Sequence, residues 1–226
     1  MDTRLSRDIL ALRVLQILLL LGMFAAGAYL YPQLPDRIPT HWSFDGTVDG
    51  WSGKAVGAWM APLVALGLSV ALPVFRMLDP RRENYAKFAR AWAVIQLTMV
   101  AFFAYVYALQ MIAALRPEIA PSMGRAMMGG IGVLFILMGN YFGKVRHNYF
   151  VGIRTPWTLA SEEVWNRTHR LVGWLWVAAG ALVLLAALLW VGPAWLVSSP
   201  ALGAAAIAPI IYSYVACQGL REAGRS

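Results

Sequence analysis

LVGWLWVAAGALVLLAALLWVGPAWLVSSPALGAAAIAPIIYSYVACQGL, residues 171–220, contains no Asp, Glu, Lys or Arg. One helical crossing of the bilayer core takes about 20 apolar residues, so this run is too long for one span and holds two. Pro193 and Pro200 near its middle, with Gly192 beside the first, mark the connection between them. Working outward, four more charge-free runs, 14–35, 55–75, 91–115 and 126–143, each have the length of one span. The sequence therefore predicts six membrane helices.

Composition points the same way. Of 226 residues, 60% are apolar and 13% charged, with a mean hydropathy of +0.60, where a soluble domain carries roughly 25% charged residues. Too few charges remain to coat a globule in water, so lipid must be the solvent for most of the surface. The one cysteine, Cys217, excludes an intramolecular disulfide and a cysteine-based metal cluster. The N-terminal run, with its basic start and Ala26-Gly27-Ala28, imitates a cleaved signal peptide. It is longer than a signal core and its loss would upset the charge alternation described next, so it reads as a retained first span.

The formal net charge of +8 is confined to the connections. Arg4, Arg7 and Arg13 precede the first span; Arg76, Arg81, Arg82, Lys87 and Arg90 lie in the second connection; Lys144, Arg146, Arg154, Arg167 and Arg170 in the fourth; Arg221 and Arg225 in the tail. Only Arg37, Lys54, Arg116 and Arg125 fall on the other side. Basic loops stay cytoplasmic, which predicts that both termini are inside. Loops of this kind meet anionic lipid heads, and the charge needs no direct nucleic-acid partner to explain it.

Within the spans, Gln16, Ser69, Gln96, Thr98, Gln110, Asn140, Ser213 and Gln218 read as interhelical hydrogen-bonding groups, and Gly22 with Ala26 and Gly139 with Gly143 as sites of close helix approach. Pro62, Pro73 and Pro209 are expected to kink their helices.

Two connections carry more signal than a linker needs. The first outer one, YPQLPDRIPTHWSFDGTVDGWSGK at 31–54, is held extended by Pro32, Pro35 and Pro39, and Asp45-Gly46 and Asp49-Gly50 are turn dipeptides. It predicts a small folded cap with a hairpin. His41, Asp45 and Asp49 match no calcium-loop spacing and read as hydrogen-bonded turn residues rather than metal ligands. Trp42, Phe44 and Trp51 read as interfacial anchors or as an aromatic recognition surface.

The fourth connection, KVRHNYFVGIRTPWTLASEEVWNRTHR at 144–170, is irregular in its first half, where Gly152 and Pro156 sit among aromatics, and helical from Ser161. Ser161 is a predicted N-cap, Glu162 and Glu163 suit a helix start, and Glu163 with Arg167 forms an i, i+4 pair. This helix is expected to run on into the fifth span and to project into the cytoplasm as a stalk, with Trp165 and His169 on one face. Arg154, His169 and Arg170, with Asn148 and Thr155, suggest a polar pocket at the inner mouth, able to take an anionic head group or a protein partner. His41 is outside while His147 and His169 are inside, so no three-histidine metal site arises. No nucleophile, base and orienting acid are brought together.

The same segments resemble a known family. GIRTPWTL at 152–159, preceded by Asn148-Tyr149-Phe150 and followed by EEVWNRTHR at 162–170, is similar to the signature of the SdpI family of bacterial membrane proteins, and Asn140 with Lys144 belongs to that pattern. LPDRIPTHWSFDGTVDGW at 34–51 resembles a domain of unknown function that commonly precedes the signature. Gly143 and His147 stand where the family pattern has proline. The resemblance implies two halves: residues 1–115, three transmembrane helices with the extracytoplasmic loop 32–54, and residues 116–226, three more with the cytoplasmic signature loop 144–170. It marks Asn140, Lys144, Asn148, Arg154, Thr155, Pro156, Trp157, Glu163, Trp165, His169 and Arg170 as candidate partner- or ligand-binding residues. In the outer loop it marks Pro39, His41, Trp42, Asp45, Gly46, Asp49 and Gly50.

The expected fold is an all-α integral membrane protein: a six-transmembrane-helix bundle with a small extracytoplasmic cap loop and a cytoplasmic interfacial loop-helix. The expected function is non-enzymatic, an immunity or signalling protein of the bacterial cytoplasmic membrane without cofactor or metal. A membrane-active peptide toxin outside and a transcriptional repressor inside are the partners the resemblance suggests. A small-molecule or lipid transporter, or a lipid-binding membrane protein, is the competing reading; a membrane enzyme ranks third.

Overall fold

A computed structural model describes residues 3–43, 47–189 and 195–224. Among them, helices α1 (Thr3–Leu30), α2 (Lys54–Leu78), α3 (Ala89–Leu115), α4 (Met123–Phe142), α6 (Glu162–Leu189) and α7 (Trp195–Glu222) are long and apolar enough to cross a bilayer. A short helix, α5 (Pro156–Ala160), precedes α6, and strands β1 (Arg37–Trp42) and β2 (Val48–Gly53) form an antiparallel hairpin between α1 and α2. The predicted six-span, all-α membrane architecture is thus observed.

The helices overrun the charge-free runs. α1 begins at Thr3 and carries Arg7, Asp8 and Arg13 in its first turns, because charges near a helix end reach the interface and do not oppose helix formation. Pro200, expected in the connection between the last two spans, lies inside α7. It sits early in the helix, where the ring takes the hydrogen bond only from the carbonyl of Leu196. Gly192 and Pro193, the other two residues of that expected turn, lie outside the described residues.

Large apolar side chains point outward all around the bundle, Leu18, Leu21, Leu63, Leu185 and Ile211 among them. Such a surface is stable only against hydrocarbon. Between helices that share a lipid solvent, association rests on close packing and hydrogen bonds, and the α4–α6 pair shows how. Gly132 faces Gly180 and Gly139 faces Gly173 in antiparallel register: a Cβ on Gly180 would lie 2.6 Å from the Gly132 carbonyl oxygen, and one on Gly139 would lie 2.8 Å from that of Gly173. The expected approach at Gly139 is present. That at Gly22 is not, since nothing lies within 4 Å of its missing side chain; Gly27 instead makes room for Trp59 and Tyr107.

Side-chain hydrogen bonds link α2 to α1 and to α3: Gln16 Nε2 donates to Ser69 Oγ at 3.0 Å, and Gln110 Nε2 donates to the Gly57 carbonyl at 3.1 Å. Gly57 also leaves space for Ile38 of β1, which is wholly buried. The hairpin is thereby pinned to the helices beneath it. In its register His41 pairs with Gly50, and Pro39 with Trp51.

Candidate functional site

The segment between α4 and α6 folds around three fully buried side chains, Asn148, Trp165 and His169. Asn148 acts as the local organiser. Its Oδ1 accepts from the Phe150 and Val151 amides at 2.9 and 2.7 Å, and its Nδ2 donates to the Arg146 and Val151 carbonyls at 2.8 and 2.9 Å. A side chain that satisfies four backbone groups substitutes for the ladder an irregular loop lacks. Trp165 Nε1 donates to the Val145 carbonyl at 2.9 Å, tying the start of the loop to α6.

His169 stacks on Trp165, with ring centroids 4.0 Å apart. Its Nε2 accepts from the Ile153 amide at 3.0 Å, while Nδ1 lies 2.9 Å from the Trp165 carbonyl and must donate to it. One donating and one accepting nitrogen define a neutral imidazole in a fixed tautomer. Gly152, at φ 128°, brings the backbone against this ring; a Cβ there would sit 2.2 Å from His169 Nε2. Glycine is therefore required both for its backbone conformation and for its lack of a side chain.

Thr155 caps α5 through a reciprocal capping box with Thr158 and meets Ser213 of α7, Oγ1 to Oγ at 3.0 Å. Pro156 occupies the first turn of α5, where its missing N–H costs nothing. Trp157 packs edge-on against Tyr214. Ser161 caps α6 through the Val164 amide, and Glu163 accepts from Arg167 Nε at 2.7 Å, as expected.

The α2–α3 connection clamps this loop from the other side, through residues that sequence reading did not single out. Asp79 is buried, and its carboxylate accepts from the Arg81 amide at 2.7 Å, the Tyr85 hydroxyl at 3.0 Å and the Tyr149 amide at 3.0 Å. The same Tyr85 proton is shared with Asn148 Oδ1, 3.3 Å away. Arg81 donates to His147 Nε2 and lies over the Tyr149 ring, while Asn84 donates to the His147 carbonyl at 2.9 Å. Burial, then the positive charge of Arg81, hold the His147 imidazole below its ordinary pKa of 6.5; Glu162 opposes them. The sequence signal was an acid directly before Pro80, at the end of an apolar helix and ahead of two arginines. The basic residues around it mask that signal.

The expected inner pocket takes a different form. Asn148, Thr155 and His169 come together, but as buried members of a closed hydrogen-bond network. Arg154 is exposed and donates to the Tyr149 carbonyl at 3.1 Å, and Arg170 lines a separate cavity beside α6. Nor does α6 project as a free stalk, since Val164, Trp165, Thr168 and His169 of its first turns are buried under the loop. Asn140 and Lys144 are exposed at the end of α4, Lys144 over the Tyr141 ring. At the opposite end of the bundle, His41 Nδ1 and Asp49 Oδ1 lie 2.5 Å apart across the hairpin, Trp51 is half exposed, and Trp42 is partly buried. Asp45 and Gly46 lie outside the described residues, as does Phe44.

These features define a multi-pass membrane protein with a hairpin cap at one end of the bundle and a tightly folded loop at the other. Residues 144–213 match the SdpI/YfhL protein family, and residues 18–66 match a domain of unknown function, DUF1648. Over 173 residues, 75% of this chain and 78% of the relative, the chain is 26% identical to the immunity protein SdpI of Bacillus subtilis (strain 168). No solved structure matches.

Proposed function

We propose that the chain is an immunity or signalling protein of the bacterial cytoplasmic membrane that senses, or protects against, a membrane-active peptide. On this reading the termini and the folded loop face the cytoplasm, as the basic connections favour, and the hairpin faces outward. The observation that carries it is the sealed loop. Asp79, Arg81 and Tyr85 from the N-terminal half and Ser213 from α7 all bond to it, so a shift of the spans caused by a peptide outside alters the loop surface inside. A ligand changes that surface only if it prefers one arrangement of the bundle over another. On this reading the protein acts by binding, and the buried polar side chains Asn148, Thr155 and His169 serve to hold the loop through their hydrogen bonds. A transcriptional repressor is the partner proposed for its exposed residues Arg154 and Tyr149. Deleting the gene and challenging cells with a panel of membrane-active peptides tests the proposal. Increased sensitivity to at least one peptide, restored by the wild-type gene, is expected; unchanged sensitivity across the panel contradicts it.

A lipid-handling role is the second reading, favoured by an apolar cavity of about 610 Å³ between α3, α4 and α6, lined by Phe102, Leu134 and Leu184. Movement of a labelled phospholipid between leaflets of reconstituted vesicles tests it. A rate equal to that of protein-free vesicles excludes it.

A further inference from the structure

Beside α6, the start of the loop that follows α4 (Gly143 and Arg146), the first turns of α6 and Tyr212 of α7 line a cavity of about 520 Å³ whose wall carries Arg146, Arg167 and Arg170 together with Glu163. A basic loop at this end of the chain is expected in any membrane protein, but the convergence of three guanidiniums on one hollow is not. Arg167 is neutralised by Glu163 one turn away. Among the described residues the side chains of Arg146 and Arg170 meet no carboxylate, so the hollow holds two uncompensated positive charges. Asn166 and Tyr212 add polar groups to the same wall.

Depth along the bundle narrows the ligand. Trp174, one turn deeper than Arg170, is 74% exposed, and Leu182 and Leu185 beyond it are exposed as well. An exposed Trp above a belt of leucines marks the membrane interface, which places the cavity at the level of lipid head groups. Guanidiniums recognise phosphate by paired, charge-assisted hydrogen bonds, whereas a lone ammonium acts as a point charge. We propose that this hollow is a binding site for an anionic phosphate group, held by Arg146 and Arg170 with Arg167 as a third donor. The phosphate belongs either to an anionic phospholipid or to a soluble phosphate compound. The site stands apart from the protective role proposed above and does not depend on it.

The test uses the full-length protein in neutral detergent, with Arg146→Gln/Arg170→Gln as the site variant and Arg82→Gln as a control at the same end of the bundle. Inorganic phosphate is titrated by calorimetry. In parallel, phosphatidylglycerol retained after extraction from vesicles equimolar in phosphatidylcholine and phosphatidylglycerol is counted by native mass spectrometry. The wild type is expected to bind in at least one arm, the double variant about tenfold more weakly, and Arg82→Gln like the wild type. A loss in the lipid arm alone identifies a phospholipid, and a loss in the phosphate arm alone a soluble ligand. Asn166→Asp keeps the arginines and adds a carboxylate to the wall, so it gives the same loss if the double variant does not fold. Wild-type binding in both variants, or an equal loss in Arg82→Gln, overturns the proposal.

Discussion

Asp79 fixes the position of the loop more than any residue of the loop itself, because its carboxylate accepts three hydrogen bonds while buried. Asp79→Asn turns one acceptor into a donor facing donors, which costs about 2 kcal/mol. We expect a lower unfolding temperature in detergent and faster hydrogen exchange of the Tyr149 amide. Unchanged exchange there would show that the carboxylate does not hold the loop. Gly152→Ala attacks the same structure from the His169 side, combining a positive φ with a clash, for a cost of roughly 1–3 kcal/mol. Protease cutting should appear within 145–155 while the spans stay intact. His147 supplies the pH dependence. Its folded pKa lies below 6.5, so its contribution is fully present above that value, falls away as the pH drops beneath it, and levels off below the folded pKa. The charged and titratable groups around it, Arg81, Glu162 and His169, set the size of the effect. Thermal stability measured from about pH 8 to about pH 5 should fall for the wild type and less steeply for His147→Gln, whose side chain still accepts from Arg81 and does not titrate. Parallel curves would locate the titration elsewhere.

Among the helices, the α4–α6 crossing is the tightest contact, and glycines make it possible. Gly180→Ala places a methyl group 2.6 Å from the Gly132 carbonyl and forces the pair apart, for roughly 1–3 kcal/mol. Gly22→Ala changes a position with open space around it and should leave stability unchanged or slightly raised, since alanine favours the helix. Equal unfolding temperatures for the two variants in detergent would disprove the close crossing. The two positions also show what sequence can and cannot convey at this scale. Gly22 and Gly139 both belong to small-residue pairs at four-residue spacing, and only the partner helix decides which one is a contact. The spans themselves were legible because hydrocarbon excludes charge, which leaves an unmistakable blank between basic connections. The cap hairpin was legible from Pro39 and the turn dipeptides. The ends of α1 and the place of Pro200 inside α7 were not, since a helix continues past the charge-free stretch wherever its side chains reach water.

For the molecule as a whole, the candidate site was half visible. Asn148, Trp165 and His169 were marked by the signature, but their role as a buried network was not, because burial depends on the α2–α3 connection folding back over them. Asp79 and Tyr85 lie more than sixty residues from the loop they hold, and no local pattern announces such a partnership. The same distance ties the two ends of the chain together: one connection from the N-terminal half and one helix from the C-terminal half grip a single loop. The functional account requires that this loop lie on the cytoplasmic side and the hairpin on the other. Single cysteines introduced by Arg154→Cys and Asp49→Cys, in a Cys217→Ala background, test that in intact cells with a membrane-impermeant thiol reagent. The Asp49→Cys protein is expected to be labelled in intact cells and the Arg154→Cys protein only after permeabilisation; labelling of the Arg154→Cys protein in intact cells would put the loop on the outer face and overturn the proposed orientation.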